Sequence, residues 1–329
     1  MKLFRKLLFP FSIIYWVVTT FRNKLYDLGW LKSKSYKIPV ISVGNLSTGG
    51  TGKSPMIEFL ISHFKDNYHL AVLSRGYKRK SKGFKEVEED SSVSQTGDEP
   101  LQFKRKFPEV TVAVCESRQQ GIEILKKDNN LILMDDAFQH RKVQPLYSIL
   151  LTSFGDLFVD DWILPVGNLR ESRQGANRAD AIVVTKCPQS LSNSAMNGIK
   201  EKLKPLSHQE VYFTAIGYGT LIKNVNQSKS LAYLNDKKFL LVTGIANPTP
   251  LVFFLKAQGF QFEHQAYGDH HDFNSSEIEL IDKNHILLTT EKDFMRLQPL
   301  IKNAELYYLP ITTAFIDGGE KAFINRIIN

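Results

Sequence analysis

Residues 39–60 read PVISVGNLSTGGTGKSPMIEFL, and this stretch decides the fold. It opens with the β-branched run Val40, Ile41 and Val43, which is typical of a buried strand. A glycine-rich turn follows, and from Ser54 onward apolar residues recur at helical spacing. A strand, a glycine-rich turn and a helix in this order predict a P-loop, in which backbone N–H groups and the helix N-terminus surround a phosphate.

The strict P-loop pattern G-x-x-x-x-G-K-[ST] is matched only at its end. Gly52, Lys53 and Ser54 fit, whereas Ser47 stands where the first glycine belongs. The alternative is an ordinary glycine-rich turn that contains Gly-Lys-Ser by chance, but the flanking strand and helix favour the P-loop. Lys53 is then expected to reach the outer phosphates of a nucleotide, and the Ser54 hydroxyl to bind Mg²⁺.

The composition is that of a globular chain in a reducing compartment. Its 329 residues suffice for about two domains, and 43% of them are hydrophobic. Cys115 and Cys187 show neither metal-ligand spacing nor a disulfide framework. The net charge of +8 favours an anionic partner. Because no nucleic-acid-binding motif accompanies that charge, we expect a membrane surface or a phosphorylated substrate, and no nucleic acid.

Residues 1–37 differ from the rest of the chain. Apolar residues from Leu3 to Leu25 recur at helical spacing, with lysines and arginines on both sides. The uncharged core from Leu7 to Phe21 is shorter than the ~20 residues of a spanning helix and contains Pro10. No cleavage site of small residues follows, so a signal peptide is not expected. We expect an amphipathic helix in the bilayer interface; the alternative is a helix packed on its own domain.

Two acidic pairs follow the P-loop. Asp98 and Glu99 open a helix that continues to Phe107. Either they only cap the helix and complement its dipole, or one of them faces the phosphates. The buried strand Leu131–Met134 ends in Asp135-Asp136, which is the Walker-B pattern that holds Mg²⁺ beside a P-loop. Two adjacent carboxylates at a strand end repel each other unless a cation compensates them.

Strands and helices alternate up to about residue 205, which predicts a parallel sheet covered on both faces. Residues 210–228 predict an extended pair that links this sheet to a second, smaller series of strands and helices. The expected division is a membrane-associated helix region, a P-loop domain, a linker ribbon and a smaller C-terminal α/β domain, at residues 1–37, 38–210, 211–228 and 229–329.

The turn Asp269-His270-His271 carries two adjacent histidines. Adjacent residues cannot share one face of a helix or strand, so a metal site made by this pair alone is not expected. One alternative is a surface turn with incidental histidines. The other is a carboxylate beside an imidazole that handles a proton.

Eight short motifs occur together in one order. They are VGNLSTGGTGKSP, Arg75-Gly76-Tyr77, GDEP, DDAFQH, LPVGNLRE, GIANP, DHH and TEKD. In this order they resemble the tetraacyldisaccharide 4′-kinase family, the lipid A kinases, over nearly the whole chain. That family also carries Ser or Thr at the position of Ser47. The chain departs from it at Ala137, where glycine is usual, and at Val166-Gly167-Asn168, where proline commonly follows the glycine.

The resemblance implies that the γ-phosphate of ATP is transferred to the 4′-hydroxyl of a tetraacyl glucosamine disaccharide 1-phosphate, which forms lipid IVA. It implies two α/β/α sandwiches, the first a P-loop kinase-like one, joined by a two-stranded linker. ATP and Mg²⁺ are the implied cofactors. The first helix is implied to dip into the cytoplasmic face of the inner membrane, and we expect a monomer.

The resemblance also implies roles for individual residues. Asp98 matches the catalytic aspartate of the family, and His270 matches the histidine paired with it. Mg²⁺ is implied on Ser54, Glu99 and Asp135. The implied ATP-binding residues are Ser47, Thr48, Gly49, Gly50, Thr51, Gly52, Lys53 and Ser54. The implied substrate-binding residues are Asp136, Gln139, His140, Arg170 and Glu171.

Two other classes of function deserve comparison. A P-loop GTPase-type metallochaperone or targeting switch should carry Asn-Lys-x-Asp after a late strand, and residues 185–188 read TKCP, without Asn or Asp. A membrane-associated module with a vestigial P-loop would not need its phosphate and metal residues. Lys53, Ser54, Asp98 and Asp135 are all present, which argues against such a module.

Overall fold

The computed structural model describes residues 5–269 and 271–328. The chain divides into two compact units. Unit 1 comprises Met1–Ile216 and Thr313–Asn329, and unit 2 comprises Gly217–Thr312. Unit 2 is therefore inserted, in sequence, between two parts of unit 1.

A nine-stranded sheet forms the centre of unit 1. Neighbouring strands lie in the order β15-β8-β7-β6-β1-β5-β2-β4-β3. Strand β1 pairs in parallel with β5 and β6, β2 with β4 and β5, and β7 with β6 and β8. Strand β3 runs antiparallel to β4. The strands are β1 (Val40–Asn45), β2 (Leu70–Ser74), β3 (Lys85–Glu86), β4 (Thr111–Val114), β5 (Leu131–Asp135), β6 (Tyr147–Ser153), β7 (Ala181–Cys187), β8 (Glu210–Tyr218) and β15 (Ile311–Phe315).

Helices cover both faces of this sheet, as expected for a parallel arrangement. Ile41 and Val43 of β1 pack with the P-loop helix on one face, and Val40 packs with Ile122 and Leu125 on the other. The α-helices of unit 1 are α1 (Phe9–Asp27), α2 (Lys53–Phe64), α3 (Val93–Thr96), α4 (Asp98–Lys106), α5 (Arg118–Leu125), α6 (Asn193–Leu203) and α10 (Gly319–Ile328), with 3₁₀ turns at Phe158–Asp160, Arg173–Arg178 and Ile316–Gly318.

The end of the chain belongs to unit 1, which differs from the expected boundary at residues 229–329. Strand β15 joins the large sheet, and Phe323 and Ile327 of α10 lie in the same core cluster as Phe59 of α2. The smaller unit therefore stops at Thr312. Sequence order suggested the other grouping, because the closing helix follows unit 2 directly along the chain.

Unit 2 is built on a six-stranded sheet in the order β10-β9-β14-β13-β11-β12. Strands β11 to β14 pair in parallel, and β9 runs antiparallel to β14 and to β10. The elements are β9 (Leu221–Lys223), β10 (Ser228–Ser230), β11 (Phe239–Thr243), β12 (Phe262–Ala266), β13 (Ile286–Thr290), β14 (Glu305–Leu309), a 3₁₀ turn (Leu231–Leu234), α7 (Thr249–Ala257), α8 (Ser275–Ile281) and α9 (Glu291–Leu297).

The connection between the units also differs from the expected ribbon at residues 211–228. The chain passes from unit 1 to unit 2 within β8 and returns within β15, and these two strands are neighbours in the large sheet. Strands β9 and β10 belong instead to the smaller sheet. The two-stranded connection therefore uses one strand from each side of unit 2.

The length and hydropathy of each helix show whether it could cross a bilayer, which is the question raised by the apolar N-terminal region. Among residues 5–269 and 271–328, none of the helices combines the length and the apolar character needed to cross a bilayer.

Candidate active site

The turn between β1 and α2 has the backbone geometry of a phosphate-binding loop. Gly52 adopts φ +84° directly before the first helical residue, Lys53, so a side chain there would be strained. Inside the turn, the Asn45 amide donates to the Thr51 hydroxyl at 2.8 Å, and the Thr48 N–H joins the turn to another loop by donating to the Asn168 carbonyl at 2.7 Å. These bonds hold the expected ATP-binding residues 47–54 in one compact turn at the N-terminus of α2.

Strand β5 delivers the two adjacent aspartates to the same edge of the sheet. Lys53 Nζ lies 3.7 Å from Asp136 Oδ1, and Arg170 Nη1 donates to both carboxylate oxygens of Asp136 at 3.0 Å. Burial on its own would raise the pKa of Asp136, but Lys53 and Arg170 hold that pKa below its usual range. Asp136 is therefore an anion that joins the P-loop lysine to the loop carrying Arg170.

The backbone at this turn also accounts for the unusual Ala137. The left-handed residue of the turn is Asp136, with φ +45°, and aspartate tolerates that conformation better than most residues. Ala137 is not among the residues with positive φ. The turn therefore does not need glycine at position 137.

Asp135 points in a different direction and is buried. The Ser74 hydroxyl donates to its Oδ2 at 2.9 Å, whereas its Oδ1 has no hydrogen-bond partner. Burial, followed by the negative charges of Glu99 and Asp136, raises the pKa of Asp135 to about 7. A buried carboxylate oxygen without a donor, next to other carboxylates, is suited to a cation.

The residues present fit the oxygen ligands that Mg²⁺ prefers. The Ser54 hydroxyl donates to Glu99 Oε1 at 2.6 Å, and Asp135 and Glu99 lie close enough for their charges to interact. Within the part of the chain that the structure describes, no group of three or more Asp, Glu, His or Cys side chains has metal-binding geometry. Mg²⁺ does not require one, because it is usually held by one or two carboxylates together with phosphate and water oxygens.

Asp98 and Glu99 form the first turn of α4. The Glu99 N–H donates to Asp98 Oδ1 at 3.0 Å, and the helix N-terminus favours negative charge at both positions. The preceding Gly97 has φ +89°, and a Cβ there would approach the Tyr77 carbonyl oxygen to 3.2 Å. The pair complements the helix dipole, and Glu99 accepts a hydrogen bond from the P-loop residue Ser54; that one of the two faces the phosphates stays a prediction.

His270, the expected partner of Asp98, lies outside the described residues. The neighbouring His271 is engaged within unit 2: its Nε2 lies 2.9 Å from Glu277 Oε2, and its ring stacks on Tyr267 with centroids 4.8 Å apart. The pairing of Asp98 with His270 therefore stays a prediction.

Gln139 and His140 follow the aspartates. Gln139 Nε2 donates to the Asn45 carbonyl at 2.8 Å and to Glu171 Oε1 at 3.2 Å. Burial, together with the positive charges of Arg118 and Arg75, lowers the pKa of His140 to about 4, so its imidazole is neutral. His140 also lines a cavity of about 720 Å³, whose wall includes the cationic side chains of Lys32, Arg141 and Arg178.

Arg170 and Glu171 have different surroundings. Arg170 is partly exposed and binds Asp136, whereas Glu171 is 0% exposed. Arg178 Nη2 donates to Glu171 at 2.9 Å, and the Asn23 amide of α1 donates to the other carboxylate oxygen. The substrate-side function expected of Glu171 stays a prediction; in this structure its carboxylate holds Gln139, Arg178 and α1 in place.

Sequence patterns did not indicate the buried arginine beneath the aspartate turn. Arg118 is 1% exposed and donates to the Cys115 carbonyl at 2.7 Å and to the Asp135 carbonyl at 3.2 Å. Burial lowers its pKa to about 10. In the sequence, Arg118 is visible only as an arginine at the first position of a helix that follows β4. That position does not show whether its side chain is buried or lies on the surface.

Helix α1 lies beside the loop that carries Arg170. The Ser12 hydroxyl donates to the Ile163 carbonyl and accepts from the Val166 N–H at 3.1 Å, and the Tyr15 hydroxyl donates to the Arg170 carbonyl at 2.9 Å. Most of the apolar side chains of α1 and its flanking residues are exposed. The exposed ones are Leu7, Leu8, Phe9, Phe11, Ile13, Ile14, Trp16, Val17, Val18, Phe21, Leu28, Trp30 and Leu31.

Comparison with known proteins gives a consistent result. The family model for "Tetraacyldisaccharide-1-P 4'-kinase" matches residues 4–329. A tetraacyldisaccharide 4′-kinase of Flavobacterium psychrophilum is 48% identical, over 100% of this chain and 97% of the relative. One from Bacteroides thetaiotaomicron is 43% identical, over 98% of this chain and 92% of the relative.

A solved structure agrees with these sequence matches. The LpxK of Aquifex aeolicus, crystallised in complex with ATP, superposes with a TM-score of 0.80 at 31% sequence identity. The superposition covers 99% of this chain and 100% of that one.

Proposed function

The chain belongs to the tetraacyldisaccharide-1-P 4′-kinase family, and from this premise we propose how its residues perform the reaction of that family. The chain is an ATP-dependent phosphotransferase with an alcohol acceptor. It transfers the γ-phosphate of ATP to the 4′-hydroxyl of a tetraacyl glucosamine disaccharide 1-phosphate, forming lipid IVA in lipid A biosynthesis. This function is favoured over a GTPase-type switch, which the late strand ending in TKCP did not support.

The observation that carries the proposal is the convergence of the P-loop, the β5 aspartates and the first turn of α4. Lys53 lies beside Asp136, and Ser54 beside Glu99, at the N-terminus of α2. Phosphoryl transfer requires mainly positioning and neutralisation of charge. Residues 47–54 would surround the phosphates and bind them mainly through the backbone N–H groups at the N-terminus of α2, and Lys53 would neutralise the transferred group.

Ser54, Glu99 and Asp135 would hold Mg²⁺. The cation would neutralise negative charge on the β- and γ-phosphate oxygens. The buried Asp135 Oδ1, which has no donor, is the feature of these residues that best supports the assignment.

Asp98 would accept the proton of the acceptor hydroxyl. Its neighbour Glu99 is hydrogen-bonded to Ser54 of the P-loop, which supports this assignment. His270 would orient it and share the proton, as the family motif implies.

Arg170 would bind the acceptor while it keeps Asp136 in place. The cationic side chains that line the cavity beside His140 suit an acceptor that already carries a phosphate. Gln139 and the neutral His140 would bind polar groups of the sugar.

Helix α1 would bind the cytoplasmic face of the inner membrane as a peripheral anchor. Its exposed apolar side chains, among them Phe11, Trp16 and Phe21, would enter the interface, and the basic residues around them would contact anionic headgroups. The acceptor is a lipid in that same surface. We expect the chain to act as a monomer.

Transfer of labelled γ-phosphate from ATP to the tetraacyl disaccharide 1-phosphate in detergent micelles tests the function. We expect label in the lipid, and none when the acceptor lacks its 4′-hydroxyl. Hydrolysis of ATP without labelling of the lipid would contradict the proposal.

A further inference from the structure

A buried carboxylate on the P-loop helix holds the helix that carries Asp98 and Glu99. Glu58 of α2 is 5% exposed. Gln102 Nε2 of α4 donates to its Oε1 at 2.6 Å, and Lys106 Nζ of the same helix donates to its Oε2 at 2.6 Å. A buried carboxylate is costly unless hydrogen bonds and an opposite charge compensate it, and here α4 provides both.

These contacts continue a line that begins at the phosphate site. Ser54 and Glu58 are four residues apart on α2, and Glu99, Gln102 and Lys106 are three and four residues apart on α4. Such spacings place side chains on one face of each helix. The two helices therefore meet along a polar line that runs from Ser54–Glu99 at the site to Glu58–Lys106, about one turn further along α2 and two turns further along α4.

We propose that Glu58 is a positioning residue for the phosphoryl transfer: through Gln102 and Lys106 it fixes the direction of α4, and thereby the place of Asp98 and Glu99 at the P-loop. The inference rests on the proposed function, because it takes Asp98 and Glu99 to act in phosphoryl transfer at that site.

The apolar contacts of α4 do not provide the same direction. Leu101 and Phe103 are buried in the core cluster that also contains α2, and they stabilise the docking of α4. Hydrophobic contact is non-directional, whereas hydrogen bonds to an ionised group have a defined geometry. At the other end of α4, Gly97 has left-handed backbone and little space around it. Rotation of α4 about its own axis would turn the Asp98 and Glu99 side chains away from the site, and the bonds of Gln102 and Lys106 to Glu58 oppose that rotation.

The test compares kinetics and amide exchange in Glu58→Ala, Glu58→Gln and Lys106→Met. In Glu58→Ala we expect kcat to fall by about 10- to 100-fold, because small displacements of reacting groups are costly in rate. The KM for ATP should stay within about twofold, because the P-loop backbone is untouched. Glu58→Gln keeps an acceptor for Gln102, and its kcat should lie between those of Glu58→Ala and the wild type. Amide exchange over residues 98–106 should accelerate in the order of the kcat losses.

Two control variants separate positioning from stability. Lys65→Met removes a 2.6 Å ion pair with Glu109, which joins the ends of the same two helical segments away from the site. Asn129→Ala removes a buried hydrogen bond of 2.9 Å to the Leu125 carbonyl, at the amino-terminal end of β5, which is the end away from Asp135. Both should lower the Tm without changing kcat at a temperature where all variants are folded.

A Glu58→Ala enzyme with wild-type kcat and wild-type exchange over residues 98–106 would overturn the inference, even with a lowered Tm. The same holds for Glu58→Gln and Lys106→Met if Glu58→Ala does not fold. Failure of the proposed function would be seen separately, as absence of lipid phosphorylation by the wild-type chain. In that case the exchange measurement still decides whether Glu58 holds α4.

Discussion

Helix α1 and helix α2 both carry apolar residues at helical spacing, yet they turn those residues in opposite directions. In α2, Met56, Ile57 and Leu60 are buried against the sheet. In α1 the buried residues are polar, with Ser12 at 4% exposure, whereas Phe21 is 63% exposed. Hydrophobic periodicity thus predicted two helices, but it did not show whether the apolar side of each helix is buried in the protein or exposed.

The difference lies in what each helix contacts. Helix α2 follows a central strand, so its apolar side meets other apolar side chains of the same core. Helix α1 is held by hydrogen bonds from Ser12, Tyr15 and Asn23 to the loop at residues 163–171. A continuous apolar surface of this kind on a folded chain marks an interaction site, and we propose that a bilayer interface covers it.

Lys53→Ala should have the largest effect on kcat, and it tests whether the first turn of α2 acts in catalysis rather than in folding. We expect kcat to fall on the order of 10²–10³-fold, because one charge that stabilises the transferred phosphate is lost. The Tm should change little, because Lys53 lies outside the apolar core. An active Lys53→Ala enzyme, measured by phosphate transfer, would contradict the P-loop assignment.

Truncating one apolar side chain in each helix tests whether the apolar side of α2 is buried and that of α1 is exposed. Leu60→Ala in α2 leaves a cavity in the core and should lower the free energy of unfolding by about 2–5 kcal/mol. Ile14→Ala in α1 removes an exposed side chain and should change that free energy by no more than about 0.5 kcal/mol. Urea titrations without detergent measure both. Equal losses would mean that the apolar side of α1 is buried in solution.

Membrane binding should depend on the exposed side of α1 alone. The double variant Phe11→Ser/Phe21→Ser should weaken binding to anionic vesicles by more than about 10-fold, because each buried phenyl ring contributes roughly 1.5–3 kcal/mol. Its KM for ATP should not change. Added salt should weaken binding of the wild-type chain, because interfacial lysines contribute about 1 kcal/mol each and are screened.

The matched control for that variant lies on the other side of the same helix. Ser12→Ala removes the hydrogen bonds to residues 163 and 166. It should lower stability by about 1 kcal/mol and leave vesicle binding as it is. Loss of vesicle binding in Ser12→Ala, with none in the Phe11→Ser/Phe21→Ser variant, would reverse the assignment of the two sides.

The smallest expected effect at neutral pH concerns the turn that contacts both helices, through Asp136 at Lys53 of α2 and through Arg141 at Asp27 of α1. Within it, His140 has a pKa lowered to about 4, mainly by burial. In the unfolded chain its pKa is about 6.5, so between these values the unfolded state binds more protons. Stability should therefore fall as the pH drops from about 6.5 towards 4, and His140→Gln should flatten part of that fall. Tm measured against pH in both proteins checks this; identical profiles would contradict it.

Local patterns were sufficient for the parts of the site that are continuous in sequence. The P-loop lies between β1 and α2, and the predicted strand before Asp135-Asp136 appears as β5, which includes Asp135 itself. Each of these depends on strand, turn and helix signals within about twenty residues, which periodicity and glycine placement report well.

Residues that depend on distant partners were not predictable in the same way. Glu171 is buried only because Asn23, Gln139 and Arg178 surround it, and these come from separate segments. Glu58 reads in the sequence as a charged residue within an apolar helix, and nothing nearby indicates that Lys106 compensates it. The return of residues 313–328 to unit 1 is of the same kind, since order along the chain suggested the smaller unit.

That return has a consequence for synthesis on the ribosome. Phe59 of the P-loop helix packs with Phe323, which is translated only after the whole of unit 2. At about 5–20 residues per second, the chain from residue 217 to its end needs on the order of ten seconds to appear. Until then the apolar surface around Phe59 lacks its last covering helix. Unit 1 is thus completed only after unit 2 has been translated, and a chain without residues 313–328 lacks the helix that covers Phe59.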